Sequence, residues 1–214
     1  MAGEELFLRR AVVFGAALVY WTGVLVQVRR VRRRIGRTPN FRPRNLKERI
    51  LWFGWLLVIF LWLAQPLWVG RRDLPAFFQI NSTLAVFPAL VLGIAITAAG
   101  YGGTLWCYVI MGNTWRIGVD PAEKTTLVNR GPYQIVRHPI YLFQIIMLAG
   151  AALLLPTALS LLALIVHYVC IFAKASDEEA YLLTTLGEDY RNYLSRTGRF
   201  FPKFFARHSA SRRE

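Results

Sequence analysis

Acidic residues, cysteines and recognised enzyme motifs are all scarce in this sequence. Charged residues make up only 18% of it, against about 25% in a usual soluble domain, and 12 acidic residues face 26 basic ones. The two cysteines, Cys107 and Cys170, lie in apolar runs, which excludes a secreted disulfide scaffold. There is no polar low-complexity tract, zinc-ligand spacing, phosphate-binding glycine loop or nucleophile elbow. An ordinary soluble domain and intrinsic disorder are therefore excluded.

Long apolar runs dominate instead. Apolar residues make up 55% of the chain, and the mean hydropathy is +0.37. A helix needs about 20 mostly apolar residues to cross about 30 Å of hydrocarbon. Five runs approach that length, and they predict an all-α integral membrane bundle of about five transmembrane helices. We expect the first run to be retained, because no clear signal-peptide cleavage site follows it. The runs are residues 11–28, 50–69, 84–110, 140–155 and 157–173.

The last two runs are short and are separated only by Pro156, which predicts a tight helical hairpin. Five spans put the two termini on opposite sides of the membrane. One side holds residues 29–49, 111–139 and 174–214, and all but four of the 26 Lys and Arg residues lie on that side. The positive-inside rule makes that side, with the C-terminus, cytoplasmic. We expect a bacterial inner membrane rather than the endoplasmic reticulum. Topology and anionic headgroups explain the basic charge, so no nucleic-acid partner is expected.

Polar residues and turn formers concentrate in two segments, 112–139 and 174–202. The short hairpin brings both segments to one membrane face. We therefore predict a functional region over residues 111–214. It follows a region of three helices, residues 1–110, which contains the basic linker 29–49.

Arg137 and His138 precede Pro139, which marks the start of a helix. The two side chains would lie beside unpaired backbone donors that stabilise an anion. Alternatively, Arg137 reaches the headgroups and His138 merely caps the helix. His167, inside the last span, is either a functional group or a neutral histidine bonded to a neighbouring helix.

The second polar segment predicts a C-terminal amphipathic helix on the membrane surface. Ser176 would cap it, and Glu179 would complete a capping box. Glu178 would share a helix face with Lys174 and could pair with it. Alternatively, the two adjacent carboxylates bind a cationic ligand. The apolar stripe of this helix consists of Leu183, Leu186, Tyr190 and Leu194.

The third run carries a stripe of small residues, Ala95, Ala99 and Gly103. Such a stripe predicts close packing on another helix, within this chain or in a homodimer.

Three elements in order resemble the isoprenylcysteine carboxyl methyltransferase family, to which the phospholipid methyltransferases are related. They are LVNRGPYQIVRHPIY (127–141), the short hairpin, and EEAYLLTTLGEDYRNY (178–193) with a final aromatic-Pro pair. The resemblance covers residues 112–202. It implies a membrane enzyme that transfers a methyl group from S-adenosylmethionine, without a Rossmann fold. The acceptor would be a prenylcysteine carboxylate, a thiol or an amine. The implied partners are the lipid bilayer and a lipophilic or small-molecule acceptor.

The resemblance also implies roles for individual residues, and no metal. Lys174 stands where the family has a substrate-binding arginine, and a lysine is a point charge without the two-pronged fork that grips a carboxylate. Arg137, His138 and Glu179 are the candidate catalytic residues, with His138 or Glu179 as the base for an amine or thiol. The implied cofactor contacts are Thr125, Thr126, Leu127, Val128, Tyr133, His138, Pro139, Ile140, Tyr141 and Glu178.

Two other functions fit parts of the pattern. A membrane reductase of the sterol-reductase type shares an RHP-like element but uses NADPH. A non-catalytic membrane protein could keep the scaffold to bind a lipid or a heme precursor. Polar residues at both ends of the hairpin argue against this last reading.

Overall fold

The computed structural model describes residues 3–36, 43, 45–71, 73–115 and 126–203. In these ranges the chain forms helices and short 3₁₀ turns, with no strand, and the predicted all-α membrane bundle is confirmed. The six helices are α1 (Gly3–Ile35), α2 (Leu46–Trp68), α3 (Phe87–Met111), α4 (Pro139–Leu154), α5 (Ala158–Leu186) and α6 (Glu188–Arg196).

Four helices, α1, α2, α3 and α5, are long and apolar enough to cross a membrane, which makes this a multi-pass membrane protein. The predicted fourth span is the shorter apolar helix α4, whose 16 residues reach about 24 Å. The tight hairpin after it is present. Thr157 Oγ1 accepts a hydrogen bond from the Ser160 backbone N–H at 3.1 Å, and Ser160 Oγ donates to the Leu155 carbonyl at 2.6 Å.

Glycines bring α3 and α4 into close contact. A Cβ placed on Gly100 would lie 2.7 Å from the Phe143 carbonyl oxygen, and one on Gly150 would lie 2.8 Å from the Gly93 carbonyl oxygen. Real Cβ atoms essentially never come so close to other atoms, so these positions require glycine. The buried stripe of α3 follows Gly93, Thr97, Gly100 and Thr104.

The predicted small-residue stripe was therefore only partly correct. Ala95 and Ala99 are exposed, while Gly103 contacts the ring of Phe143. The reason is helical geometry: Ala95 and Ala99 lie on a different face from the buried stripe.

The prediction of a separate helix beginning at Ser176 was wrong. No helix breaker lies between residues 158 and 186, so α5 continues to Leu186, and Ser176 Oγ donates to the Phe172 carbonyl at 2.9 Å. The chain breaks instead at Gly187, whose φ of 54° suits a residue without a side chain. The predicted amphipathic stripe is thereby divided, and the short helix α6 buries Tyr190 and Tyr193.

Arg9 closes the end of the bundle at which α4 stops. Its side chain is fully buried, and it donates to the Leu154 carbonyl at 3.1 Å and to the Val86 carbonyl at 2.8 Å. Glu5, one turn earlier on α1, accepts from Arg9 Nε at 2.9 Å. One guanidinium thus satisfies polar groups at the end of α4 and at the start of α3, and it ties both to α1.

A candidate active-site cavity

The other end of α4 is held by the chain that follows α6. We call residues 197–203 the C-terminal strap. The strap runs beside residues 135–138, where Arg137 N–H donates to the Gly198 carbonyl at 2.8 Å and His138 N–H donates to the Arg199 carbonyl at 3.1 Å. Any side chain on Gly198 would collide with the carbonyl of Phe201. The strap therefore fixes the backbone of the RHP element, Arg137-His138-Pro139, at the start of α4.

A cavity of about 420 Å³ lies at this end of the bundle. Most of the site residues predicted from the resemblance line it. Pro139 is buried as the first residue of α4 and does not line the cavity, and Glu179 does not line it either. Thr125 lies outside the described residues. The predicted residues on the wall are Thr126, Leu127, Val128, Tyr133, Arg137, His138, Ile140, Tyr141, Lys174 and Glu178.

Glu178 lines the cavity, and the two oxygens of its carboxylate have different surroundings. Its Oε1 accepts a hydrogen bond from Tyr141 Oη at 2.9 Å, while its Oε2 lies 3.6 Å from His138 Nδ1. The His138 ring stacks on the Tyr141 ring, with 5.5 Å between centroids and 10° between planes. Among the described residues, nothing donates a hydrogen bond to Glu178 Oε2, so this oxygen can accept from a ligand.

Glu179 has different surroundings from its neighbour, although the two are adjacent in sequence. Its buried carboxylate forms salt bridges with Arg137 at 2.8 Å and with Arg199 at 2.7 Å, and it lies 3.2 Å from His138 Nε2. Two guanidinium groups and an imidazole therefore converge on one carboxylate. Its predicted catalytic role stays a prediction, and the geometry favours a role in holding Arg137 and His138.

Lys174 lies on the cavity wall, but the predicted pair with Glu178 is not formed. Glu178 is engaged by Tyr141 and His138 instead. Lys174 makes no ion pair within the part of the chain that the structure describes. Its ammonium is thus a cation available to a ligand.

Another part of the cavity wall comes from α1 and α2, and the sequence analysis did not anticipate it. Tyr20, Val24, Leu51, Trp52 and Trp55 line this wall, which is mostly apolar and aromatic. Its residues lie outside the stretch that carries the family resemblance. The hydrophobic pattern of the sequence identified α1 and α2, but it did not indicate which faces of these helices line the cavity.

Tyr133 connects the loop before α4 to α6. Its backbone carbonyl accepts a hydrogen bond from Tyr193 Oη at 2.6 Å. Burial raises the pKa of the Tyr133 phenol well above its usual value, so the side chain stays neutral at physiological pH. The ring therefore offers the cavity an aromatic surface rather than a phenolate.

His167 does not belong to this cavity. It is buried in α5, and neither ring nitrogen has a hydrogen-bond partner among the described residues. Cys107 is buried, whereas Cys170 lies on the cavity wall. Across the described ranges there is no group of three or more His, Cys, Asp or Glu that could hold a metal ion.

The fold and the cavity define the class of protein: a multi-pass helical membrane protein with a largely apolar pocket that carries ionisable side chains at the start of a short internal helix. Residues 88–189 of this chain match the phospholipid methyltransferase family. The resemblance to these membrane methyltransferases is thereby confirmed. The matched stretch runs from α3 to the first residues of α6, so it includes the RHP element and both glutamates.

Two curated relatives are similar to part of the chain. The nickel-cobalt-cadmium resistance protein NccN of Alcaligenes xylosoxydans xylosoxydans is 24% identical over 125 residues, which are 58% of this chain and 55% of that protein. The cobalt-zinc-cadmium resistance protein CzcN of Cupriavidus metallidurans is 24% identical over 114 residues, which are 53% of this chain and 49% of that protein. The chain thus spans about half the length of the curated relatives it matches.

Proposed function

We propose that this protein is an S-adenosylmethionine-dependent methyltransferase of the membrane. The observation that carries the proposal is a pair of polar atoms on the cavity wall, Glu178 Oε2 and His138 Nδ1, which lie 3.6 Å apart. Neither atom receives a hydrogen bond from another described residue. An ammonium group would be stabilised between them, because it can donate to both and is attracted by the carboxylate. S-adenosylmethionine carries such an ammonium, together with a carboxylate and a sulfonium.

Other cavity residues suit the rest of the cofactor. The first turn of α4 presents backbone N–H groups and the positive end of the helix dipole, which favour a carboxylate. The rings of Tyr133 and Tyr141 supply aromatic faces for a cationic sulfur. When bound, the cofactor supplies an electrophilic methyl group. The protein has to align the acceptor with that methyl group and exclude water.

Within this proposal the three candidate catalytic residues have distinct tasks. His138 holds the ammonium group of the cofactor through Nδ1, and the one lone pair of that atom does not also serve as the base for an amine or thiol acceptor. Glu179 and Arg137 hold the histidine from the other side, through the salt bridge at 2.8 Å and the hydrogen-bond distance of 3.2 Å to Nε2. Lys174 would bind an anionic group of the acceptor as a point charge.

The wall formed by α1 and α2 favours a lipophilic acceptor. Trp52, Trp55 and Leu51 add an apolar surface to the cavity that Arg137 and His138 also line. An acceptor dissolved in the bilayer would enter between helices. We further propose that the cavity faces the cytoplasm of a bacterial cell. The support is the arginine-rich end of α1, which lies at the cavity end of the bundle because Val31 belongs to one packed cluster with Tyr108 and Trp115, both on the cavity wall.

Calorimetric titration of the detergent-purified protein with S-adenosylmethionine, its demethylated product and NADPH tests the proposal. We expect the first two ligands to bind and NADPH not to bind. Glu178→Gln should weaken binding at least about tenfold, since the ammonium loses the negative charge of its acceptor. The matched control Glu188→Gln, on the exposed surface of α6, should leave affinity unchanged. Binding of NADPH alone would indicate a reductase, and no binding by folded protein would indicate a non-catalytic scaffold.

A further inference from the structure

Arg199, on the C-terminal strap, binds the Glu179 carboxylate through two of its guanidinium nitrogens. Its Nε lies 3.2 Å from Glu179 Oε1, and its terminal nitrogen lies 2.7 Å from Oε2. The remaining nitrogen donates to Ser176 Oγ at 2.9 Å, and the guanidinium carbon lies 4.8 Å from the centre of the Phe172 ring. The arginine is therefore held by α5 through three separate contacts, and two nitrogens of its planar fork reach both carboxylate oxygens.

The carboxylate that Arg199 holds also determines which nitrogen of His138 carries a proton. Glu179 Oε1 accepts from Arg137 Nε at 2.8 Å and lies 3.2 Å from His138 Nε2. Because Glu179 is engaged by two guanidinium groups, it remains an ionised acceptor, and the contact with His138 needs a proton on Nε2. Glu178 faces the other ring nitrogen, but its Oε2 lies 3.6 Å from Nδ1, beyond hydrogen-bond distance. Nδ1 is then left with its lone pair on the cavity side.

Arg199 also reaches His138 through the backbone. The Arg199 carbonyl accepts the His138 N–H at 3.1 Å, and the neighbouring Gly198 carbonyl accepts the Arg137 N–H at 2.8 Å. One strap residue thus contacts the backbone of His138 directly and its side chain by way of Glu179. An imidazole ring that is fixed through both its backbone and its side chain has little freedom to rotate.

We infer that Arg199 is a positioning residue that, through Glu179, holds His138 with its proton on Nε2 and its Nδ1 lone pair toward the cavity. The use of that lone pair by a ligand rests on the proposed function, whereas the tautomer itself does not. Arg199 lies outside the stretch that matches the methyltransferase family. The strap is therefore part of the site rather than a simple C-terminal extension.

The test uses the full chain labelled with ¹⁵N-histidine, whose shifts report which ring nitrogen is protonated. There are only three histidines, and His138→Gln identifies the signal of His138. We expect the wild-type ring to be protonated on Nε2 alone. Arg199→Gln should move the signal toward a mixture of tautomers and weaken binding of the demethylated cofactor about tenfold. Arg199→Lys should restore the signal in part, and the exposed control Arg191→Gln should change neither measurement.

Two results would overturn the inference. One is a wild-type ring protonated on Nδ1 or on both nitrogens, which needs no variant and so decides the matter even if Arg199→Gln fails to fold. The other is an unchanged His138 signal in folded Arg199→Gln. If the wild-type tautomer and its loss in the variant are observed but no cofactor binds, the proposed function fails and the role of Arg199 stands.

Discussion

Replacing Gly100 by alanine tests how closely α3 and α4 must approach for the cavity to keep its shape. The added Cβ would lie 2.7 Å from the Phe143 carbonyl oxygen and 2.8 Å from the Met147 nitrogen. Both are backbone atoms, so no side-chain rotation relieves the contact and the helices must separate. Overpacking of this kind costs about 1–3 kcal/mol. Alanine also favours the helix by about 1 kcal/mol over glycine, which offsets part of that cost.

Gly102, two residues further along α3, provides the matched control. A Cβ there meets no atom within 4 Å, so Gly102→Ala gains the same helix propensity without a clash. The difference between the two variants therefore isolates the packing cost, which we expect to be about 1–3 kcal/mol. Thermal unfolding in one detergent measures it, and calorimetry with the demethylated cofactor shows whether moving α4 also disturbs the cavity. Equal unfolding midpoints for the two variants would refute the reasoning.

Three further predictions concern single side chains. Arg9→Met should destabilise the fold by about 1–3 kcal/mol, because it leaves the Leu154 carbonyl without its donor; thermal unfolding beside the exposed control Arg71→Met measures this, and equal midpoints would contradict it. Tyr141→Phe removes a donor to Glu178 and should weaken cofactor binding about fivefold by calorimetry, with unchanged affinity as the contrary result. Trp52→Ala should leave that affinity intact but slow transfer of radiolabelled methyl to extracted lipid; loss of cofactor binding instead would place Trp52 in the cofactor site.

The sequence was most informative where structure depends on neighbouring residues. The length of the apolar runs gave the helices, and Pro156 between two runs gave the hairpin, because both are local properties of the chain. The boundary at Ser176 was wrong because a residue suited to capping also fits inside a helix when nothing breaks it. The helix ends at Gly187 instead. The apolar stripe continues on both sides of this glycine, and for that reason the periodicity did not indicate a helix end there.

The sequence was least informative where function depends on distant residues. Arg199 meets Glu179 only because the strap folds back along the RHP element, and no spacing in the sequence encodes that return. The same holds for Arg9, whose partners at Leu154 and Val86 lie far along the chain. The predicted site residues on α4 and α5 line the same cavity because the hairpin that joins these two helices is short.

The cavity is walled by two separate stretches of the chain, and this division limits what sequence similarity can transfer. The stretch that matches the methyltransferase family supplies His138 and Glu178, whereas Trp52 and Trp55 lie outside it. Under the proposed function, proteins that share the matched stretch and the strap would keep the methyl-donor site while differing freely in the molecule that they modify. Exchanging α1 and α2 between such proteins would then be a direct way to change the acceptor without rebuilding the rest of the cavity.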